Sequence, residues 1–359
     1  MPKTLAATKH FKLAQHLRKE IAVMQPGDTL PTVMELQRNF GVSQATVERA
    51  LDRLRKEGLV IRPSGQLRLV VAEQSDPAAH RVALIRPDYP SASFEELARV
   101  IVDAGKSKDW AFDLIHYRKM ESIDLRRDIG DNDAAILLPT TEAFPESLMA
   151  SLKRPRRPVV VIQDPPVGLR VSSVRIDDVE IGKLAVKHLV ELGHQRILLF
   201  LNEPMAPSGA LRAQGWREAM IELGQTNIEE LVVDCHLKPF DNSITQSYQY
   251  FSDWLAKPHT PFTAIFCACA SGAVAVLRAL REHNLSVPNQ ISVISHGGES
   301  YMAPFLYPAL TAVETDIPAY GRVVVQQLDK QLQNHAEPVE SIVVPSVLVV
   351  RQTTAPVAS

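Results

Sequence analysis

Beyond Arg81 the chain alternates short β-branched runs with stretches of helical apolar spacing, and this alternation constrains the fold more than any other feature. Extended runs fall at 82–85, 111–115, 134–138, 159–162, 197–201, 231–235, 264–267 and 291–295. Helical spacing falls at 94–106, 181–192, 210–223, 243–255, 272–282 and after Pro318. Strands that alternate with helices build parallel sheets covered on both faces, and so many units exceed one comfortable sheet. The expected fold class is α/β: a two-lobed, doubly wound body with a ligand cleft between the lobes, preceded by a small head.

The formal net charge of −2 hides a division. Between Met1 and Ala72 stand twelve basic and six acidic side chains, so the head carries +6 and the remainder −8. A basic head on an acidic body implies that the head alone meets a polyanion such as nucleic acid. The segment 73–80 is polar, contains Pro77 and lacks periodicity, which reads as a linker. The expected domains are 1–72, the linker 73–80, and 81–359.

Three cysteines in 359 residues make no disulfide framework, and their spacing lacks the paired Cys and His clusters of a zinc site. No metal and no cofactor is expected, and a reducing compartment is. Residues 1–10 hold no signal-length apolar run, and the apolar stretch 264–277 is interrupted by Ser271 and Gly272. The expected location is the cytoplasm, with no membrane partner.

Within the head, Ala14, Leu17 and Ile21 share one helical face with Phe11, and Pro26-Gly27-Asp28 closes that helix. Thr32 stands three residues before Glu35, the spacing of a capping box, and Gly41 follows as a left-handed helix stop. Ser43 opens a third helix with Val47, Ala50, Leu51 and Leu54 as its buried stripe. Two helices joined by so short a turn make a helix-turn-helix, and the extended runs around Val60 and Leu69 make a hairpin wing. Side chains off the stripe then face the major groove: Gln44, Thr46, Glu48, Arg49 and Arg53. Gln44 suits adenine, Arg49 suits guanine or phosphate, and Thr46 suits phosphate or a thymine methyl.

At Leu30-Pro31-Thr32, Phe40-Gly41-Val42-Ser43, Thr46-Val47, Ala50-Leu51 and Glu57-Gly58-Leu59-Val60 the head resembles the DNA-binding domain of the GntR family of bacterial regulators. The resemblance implies DNA contacts at Thr32, Ser43, Gln44, Thr46, Arg49, Arg53 and, in the wing, Gly65. Relatives usually carry Arg where this chain has Met34, Gln44 and Glu48, and their wing tip differs from Ser64-Gly65-Gln66-Leu67.

The body resembles the effector domain of the LacI family, itself similar to periplasmic sugar-binding proteins. The landmarks are Val174 and Asp177 leading to Gly182, then Leu192-Gly193-His194-Gln195-Arg196-Ile197, Arg212 with Gly215-Trp216, and Val287-Pro288-Asn289-Gln290-Ile291. The combination resembles the arabinose-responsive repressors, with the wing and linker in place of a LacI-type hinge helix. It implies that Arg212 holds ligand oxygens. An Asn-Asp pair common in sugar-responsive relatives is replaced here by Cys269-Ala270, and an aspartate of the Gly-aromatic-Asp turn by Gly297. Other groups at strand ends facing the expected cleft are Asp88, Gln163, Asp164, Glu314 and Thr315.

Cys267, Cys269 and His296 raise the idea of a metal or thiol sensor, although cysteine is most often a small buried hydrophobe. Gly105-Lys106-Ser107 mimics the end of a phosphate loop, but it closes a helix and lacks the earlier glycine. No nucleophile and base stand at catalytic spacing. The expected protein is a non-enzymatic repressor that binds an inverted-repeat operator as a homodimer under control of a sugar or sugar derivative. A constitutive DNA-binding regulator with a degenerate cleft and a DNA-tethered α/β enzyme are the competing readings.

Overall fold

A computed structural model describes residues 9–21, 23–25, 27–56, 59–63, 68–71, 79–88, 91–140, 143–163, 165–166, 168–169, 171–203, 207–238, 241–298, 302–334 and 339–357. The chain divides into two compact units, 1–78 and 79–359.

The first unit holds α1 (Lys9–Ile21), α2 (Val33–Phe40), α3 (Gln44–Lys56), β1 (Val60–Ile61) and β2 (Val70–Val71). Helix α2 starts where Thr32 and Glu35 close a capping box and stops at Gly41, whose φ of 60° is left-handed. β1 pairs antiparallel with β2, and Leu30 N–H donates to the Leu69 carbonyl at 2.8 Å, tying the segment before α2 to the wing. Leu17, Leu36, Val47, Ala50, Leu54 and Val60 form the buried centre. Each fully buried leucine there contributes about 1.5–3 kcal/mol over an exposed one. The wing tip with Gly65, and most of the expected linker (73–78), lie outside the described residues; His80, placed in the linker from sequence, opens the first strand of the second unit.

That unit has two lobes. The first lobe is a six-stranded all-parallel sheet built from β3 (His80–Pro87), β4 (Trp110–Tyr117), β5 (Ala134–Leu137), β6 (Val159–Ile162), β7 (Ser172–Ile176) and, from far downstream, β13 (Ser341–Val344). Its strand order is β13-β7-β6-β5-β3-β4. Helices α4 (Ala92–Lys106), α5 (Leu125–Ile129), α6 (Glu146–Lys153) and α11 (Ile317–Gln333) belong to this lobe, and its core divides into one cluster on each face of the sheet. Continuous apolar runs such as Val159-Val160-Val161-Ile162, all buried, are what a sheet covered on both faces requires.

The second lobe takes β8 (Ile197–Leu201), β9 (Val232–Asp234), β10 (Ala264–Cys267), β11 (Ser292–His296), β12 (Thr311–Thr315) and β14 (Ser346–Val349) in the order β14-β12-β11-β10-β8-β9. Only β14 runs antiparallel to its neighbour. Helices α7 (Asp178–Glu191), α8 (Pro207–Glu222), α9 (Ser243–Leu255) and α10 (Ala270–Glu282) complete it.

The chain crosses between lobes three times: at Asp177, which caps α7; at Asp316, which caps α11; and at Pro345, the single residue between β13 and β14. Thr315 Oγ1 and Ser346 Oγ share a hydrogen bond of 2.8 Å that couples two of these crossings. Short α5 and α6 and strands β7, β12, β13 and β14 are absent from the sequence reading. The phosphate-loop mimic ends α4, with Ser107 as its C-cap.

Candidate nucleic-acid interface and ligand site

The amphipathic spacing of α3 turns Val47, Ala50, Leu51 and Leu54 into the head core and leaves Gln44, Glu48, Arg49 and Arg53 exposed on the outer face. Two local hydrogen bonds organise that face. Gln44 Nε2 donates to Glu48 Oε1 at 2.8 Å, and the hydroxyls of Ser43 and Thr46 lie 2.9 Å apart. Arg49 has no ion-pair partner among the described residues. Thr32 is differently engaged: its N–H and hydroxyl both donate to Glu35, whose own N–H returns a bond of 3.3 Å. These bonds hold the Glu35 carboxyl below its ordinary pKa.

In open α/β sheets ligands bind beyond the carboxyl ends of the strands where the strand order reverses. The first lobe reverses between β3 and β5, and the second between β8 and β10. Asn202 and Glu203 follow β8, and Ala268, Cys269 and Ser271 follow β10. On the neighbouring strand, β11 ends in half-buried His296.

Arg212 reaches this cluster from α8. Its Nε donates to Asp178 Oδ1 at 2.7 Å and its Nη1 to the Ala268 carbonyl at 2.9 Å, with both side chains of the ion pair about nine-tenths buried. The reach depends on two glycines. A Cβ on Gly215 would overlap the Val179 carbonyl, and one on Gly182 would overlap the Arg212 carbonyl, so α7 and α8 cross at a separation that only glycine allows. Gly215 lies one turn after Arg212 and Gly182 one turn after Asp178, so the close crossing and the ion pair share one seam.

Burial opposes the Arg212 charge, but the Asp178 and Glu203 carboxylates outweigh it and raise the guanidinium pKa. The same burial, aided by the Arg212 charge, pushes His296 well below the ordinary histidine range. Its Nδ1 donates to the Val313 carbonyl at 3.1 Å, which fixes the tautomer. Asn202 is fully buried; its Nδ2 donates to Cys269 Sγ at 3.0 Å and to Ser271 Oγ at 3.1 Å. Burial lifts the Cys269 thiol to about 12 and the Cys235 thiol to about 11, and Cys267 also rises. Such thiols are neutral and inert. Among the described residues no cluster of three metal-ligating side chains forms.

The structure brings only part of the sequence-derived ligand set together. Arg212 lies at the centre. Asp88 follows β3 at the switch point, exposed and paired with Arg118 at 3.0 Å. Gln163 follows β6 with a φ of 81°, its N–H donating to the Val174 carbonyl. Asp164 lies outside the described residues. Glu314 faces Arg351 Nη1 at 2.6 Å in a largely buried ion pair, and Thr315 binds Ser346 at the lobe crossing, so both already have structural partners. Asp178, Asn202 and Glu203 were missed. Asp178 adjoins Asp177, and two acids at a helix start read as capping rather than as a partner for a distant arginine.

These two surfaces, a basic winged helix-turn-helix and a two-lobed α/β body with a polar cluster at its strand ends, define an effector-controlled DNA-binding transcriptional regulator. Residues 11–66 match the bacterial regulatory proteins of the gntR family, and residues 186–354 match the periplasmic binding protein-like domain. The chain thus joins a gntR-family DNA-binding domain to a periplasmic binding protein-like domain. The arabinose metabolism transcriptional repressor of Halalkalibacterium halodurans is 25% identical, over 97% of each chain. The transcriptional regulator DegA of Bacillus subtilis is 24% identical over 90% of this chain and 98% of its own. Among solved structures, a LacI transcriptional regulator from a Rhodococcus species is 27% identical with a TM-score of 0.65, covering 78% of this chain and all of that one. A LacI family regulator from Enterococcus faecium with bound ribose shares the fold at 24% identity and a TM-score of 0.65, over 77% of this chain and all of its own. No helix among the described residues is long and apolar enough to cross a membrane.

Proposed function

We propose that this chain is a cytoplasmic repressor that binds an inverted-repeat operator as a homodimer and responds to a sugar or sugar derivative held at the strand ends of the body. The observation that carries the effector reading is Arg212. A guanidinium has five N–H donors, and among the described residues two of them are engaged, by Asp178 and Ala268. The remaining donors stand at the switch point of the second lobe, preorganised by a buried carboxylate to receive ligand oxygens. Ligand drawn to this wall favours one lobe arrangement over another, and the three crossings at Asp177, Asp316 and Pro345 carry that change toward the head. A coupling of about 1–3 kcal/mol between effector and operator is typical of such proteins.

On the operator side, Gln44, Arg49 and Arg53 read bases or phosphates from the outer face of α3, while Ser43, Thr46, Thr32 and the wing at Gly65 fix the docking register. The body acts by binding, not by catalysis: its relatives are regulators and its thiols are held neutral. The replacement of two customary carboxylates at Ala270 and Gly297 favours a second reading, a constitutive regulator whose cleft takes no ligand. Thermal shift of the full chain against sugars, sugar acids and sugar phosphates, followed by operator binding with and without each hit, separates the two. A stabilising compound that changes operator affinity supports the effector reading; operator binding with no response to any compound supports the second.

A further inference from the structure

His296 ends β11, one residue before Gly297. We propose that His296 is a specificity-determining residue whose Nε2 accepts a hydrogen bond from a hydroxyl of the effector, and that the wall it forms with Arg212 selects an uncharged effector over an anionic one. The inference rests on the effector reading given above.

Four observations carry it. His296 ends β11, in a sheet whose β8 and β10 strand ends form the switch point, and it is the one residue of its strand that is not buried. Because Nδ1 donates to the Val313 carbonyl, the ring proton sits there, and Nε2 presents a lone pair. No described residue donates to that nitrogen. The backbone then turns away at once, since Gly297 and Gly298 take φ values of 79° and 85°.

The charge balance of the same wall supplies the selection. Burial, with the Arg212 charge adding to it, keeps the imidazole unprotonated, so His296 acts as an acceptor and adds no positive charge. The Arg212 charge is itself matched by Asp178 at 2.7 Å, and Glu203 adds a further carboxylate beside it. The wall formed by Asp178, Glu203, Arg212 and His296 is thus net negative, which disfavours a carboxylate or phosphate brought into low dielectric. Its hydrogen-bonding pattern, guanidinium donors beside an imidazole acceptor, matches neighbouring hydroxyl groups, each of which both donates and accepts.

The test is calorimetric titration of the full chain with D-ribose, L-arabinose, D-xylose, D-glucose and cellobiose, and with gluconate, ribose 5-phosphate and glucose 6-phosphate. At least one neutral sugar should bind more tightly than every anionic compound. His296→Phe keeps a planar ring but removes the acceptor, and should weaken the bound sugar by about tenfold, the cost of one unmatched hydroxyl. His296→Gln, which restores an acceptor oxygen, should recover part of the loss. Tryptophan fluorescence of both variants checks that the body remains folded; should His296→Phe unfold, the Gln variant must still bind more weakly than the native chain. Tightest binding by gluconate or a sugar phosphate overturns the charge argument. Native affinity in both variants overturns the role of His296 while leaving the effector reading intact. Binding of none of the compounds by the native chain overturns the effector reading and this inference with it.

Discussion

The head and the body place their candidate binding residues in opposite ways. In the head, the outer face of one helix carries Gln44, Glu48, Arg49 and Arg53, and the core beneath uses different residues, Val47, Ala50, Leu51 and Leu54. In the body, the candidate site draws Asp178, Asn202, Glu203, Arg212, Cys269 and His296 from several elements, and most of these side chains also hold the lobe together. A readout surface separate from its core can change specificity without loss of stability. A site built into its own core cannot.

The sharpest test of that contrast is Arg212→Ala. It leaves Asp178 nearly buried without its cation, a change that costs about 3–5 kcal/mol. Trp110, Trp216 and Trp254 all lie in the body and none in the head, so tryptophan fluorescence during urea unfolding reports on the body alone. A large drop in the midpoint is expected, together with loss of any effector response. An unchanged midpoint would break the comparison, because the arginine would then serve binding only.

Gly215→Ala comes next. The added methyl meets the Val179 carbonyl and must push α7 from α8, an overpacking that costs about 1–3 kcal/mol. Because the displaced seam holds the Arg212–Asp178 pair, effector affinity should fall with stability, although no ligand group is removed. Calorimetry beside urea unfolding tests whether the two losses occur together. Native affinity in a destabilised variant would separate the seam from the site.

Most of what could be read from sequence was local. The Thr32 and Glu35 cap, the Gly41 stop and the 3.6-residue stripe on α3 are all encoded within a few positions, and each stands in the structure as the residues imply. The α/β alternation of the body was equally readable. What was not readable depends on distant pairing. β13 and β14 are split by Pro345, which reads as a breaker, yet one short extended segment completes both sheets. Glu314 has the look of an acceptor at a strand end until the fold brings Arg351 to it. His296 suggested a companion to the cysteines, but Cys267 is fully buried within β10 and the imidazole bonds to the Val313 carbonyl.

Arg49→Ala probes the other side of the contrast. Its side chain is exposed and takes no part in the head core, so stability should be unchanged. Operator affinity should fall by about 1–3 kcal/mol if the residue meets a base edge, and by less, equally on random duplexes, if it meets phosphate. Gel-shift titrations on specific and random DNA at two salt concentrations distinguish these. Unchanged affinity on both would remove α3 as the reading helix.

The smallest effect, and the one that tests whether the head truly separates structure from readout, is at Thr32. Its hydroxyl and N–H are both engaged by Glu35, so it contributes first as a cap. Thr32→Ala should cost about 1 kcal/mol, seen as faster amide exchange in the first turn of α2. Thr32→Ser keeps the hydroxyl and should restore most of that protection. If capping is the whole role, the alanine variant binds specific and random DNA with a small, equal loss and an unchanged salt slope, because a frayed helix start weakens docking without removing a phosphate contact. If Thr32 also meets the backbone of the operator, the loss should exceed the capping term under conditions where the head stays folded, and serine should recover both parts. A specific loss confined to one operator position would place Thr32 among the readers and show that, in the head too, one side chain serves both fold and recognition.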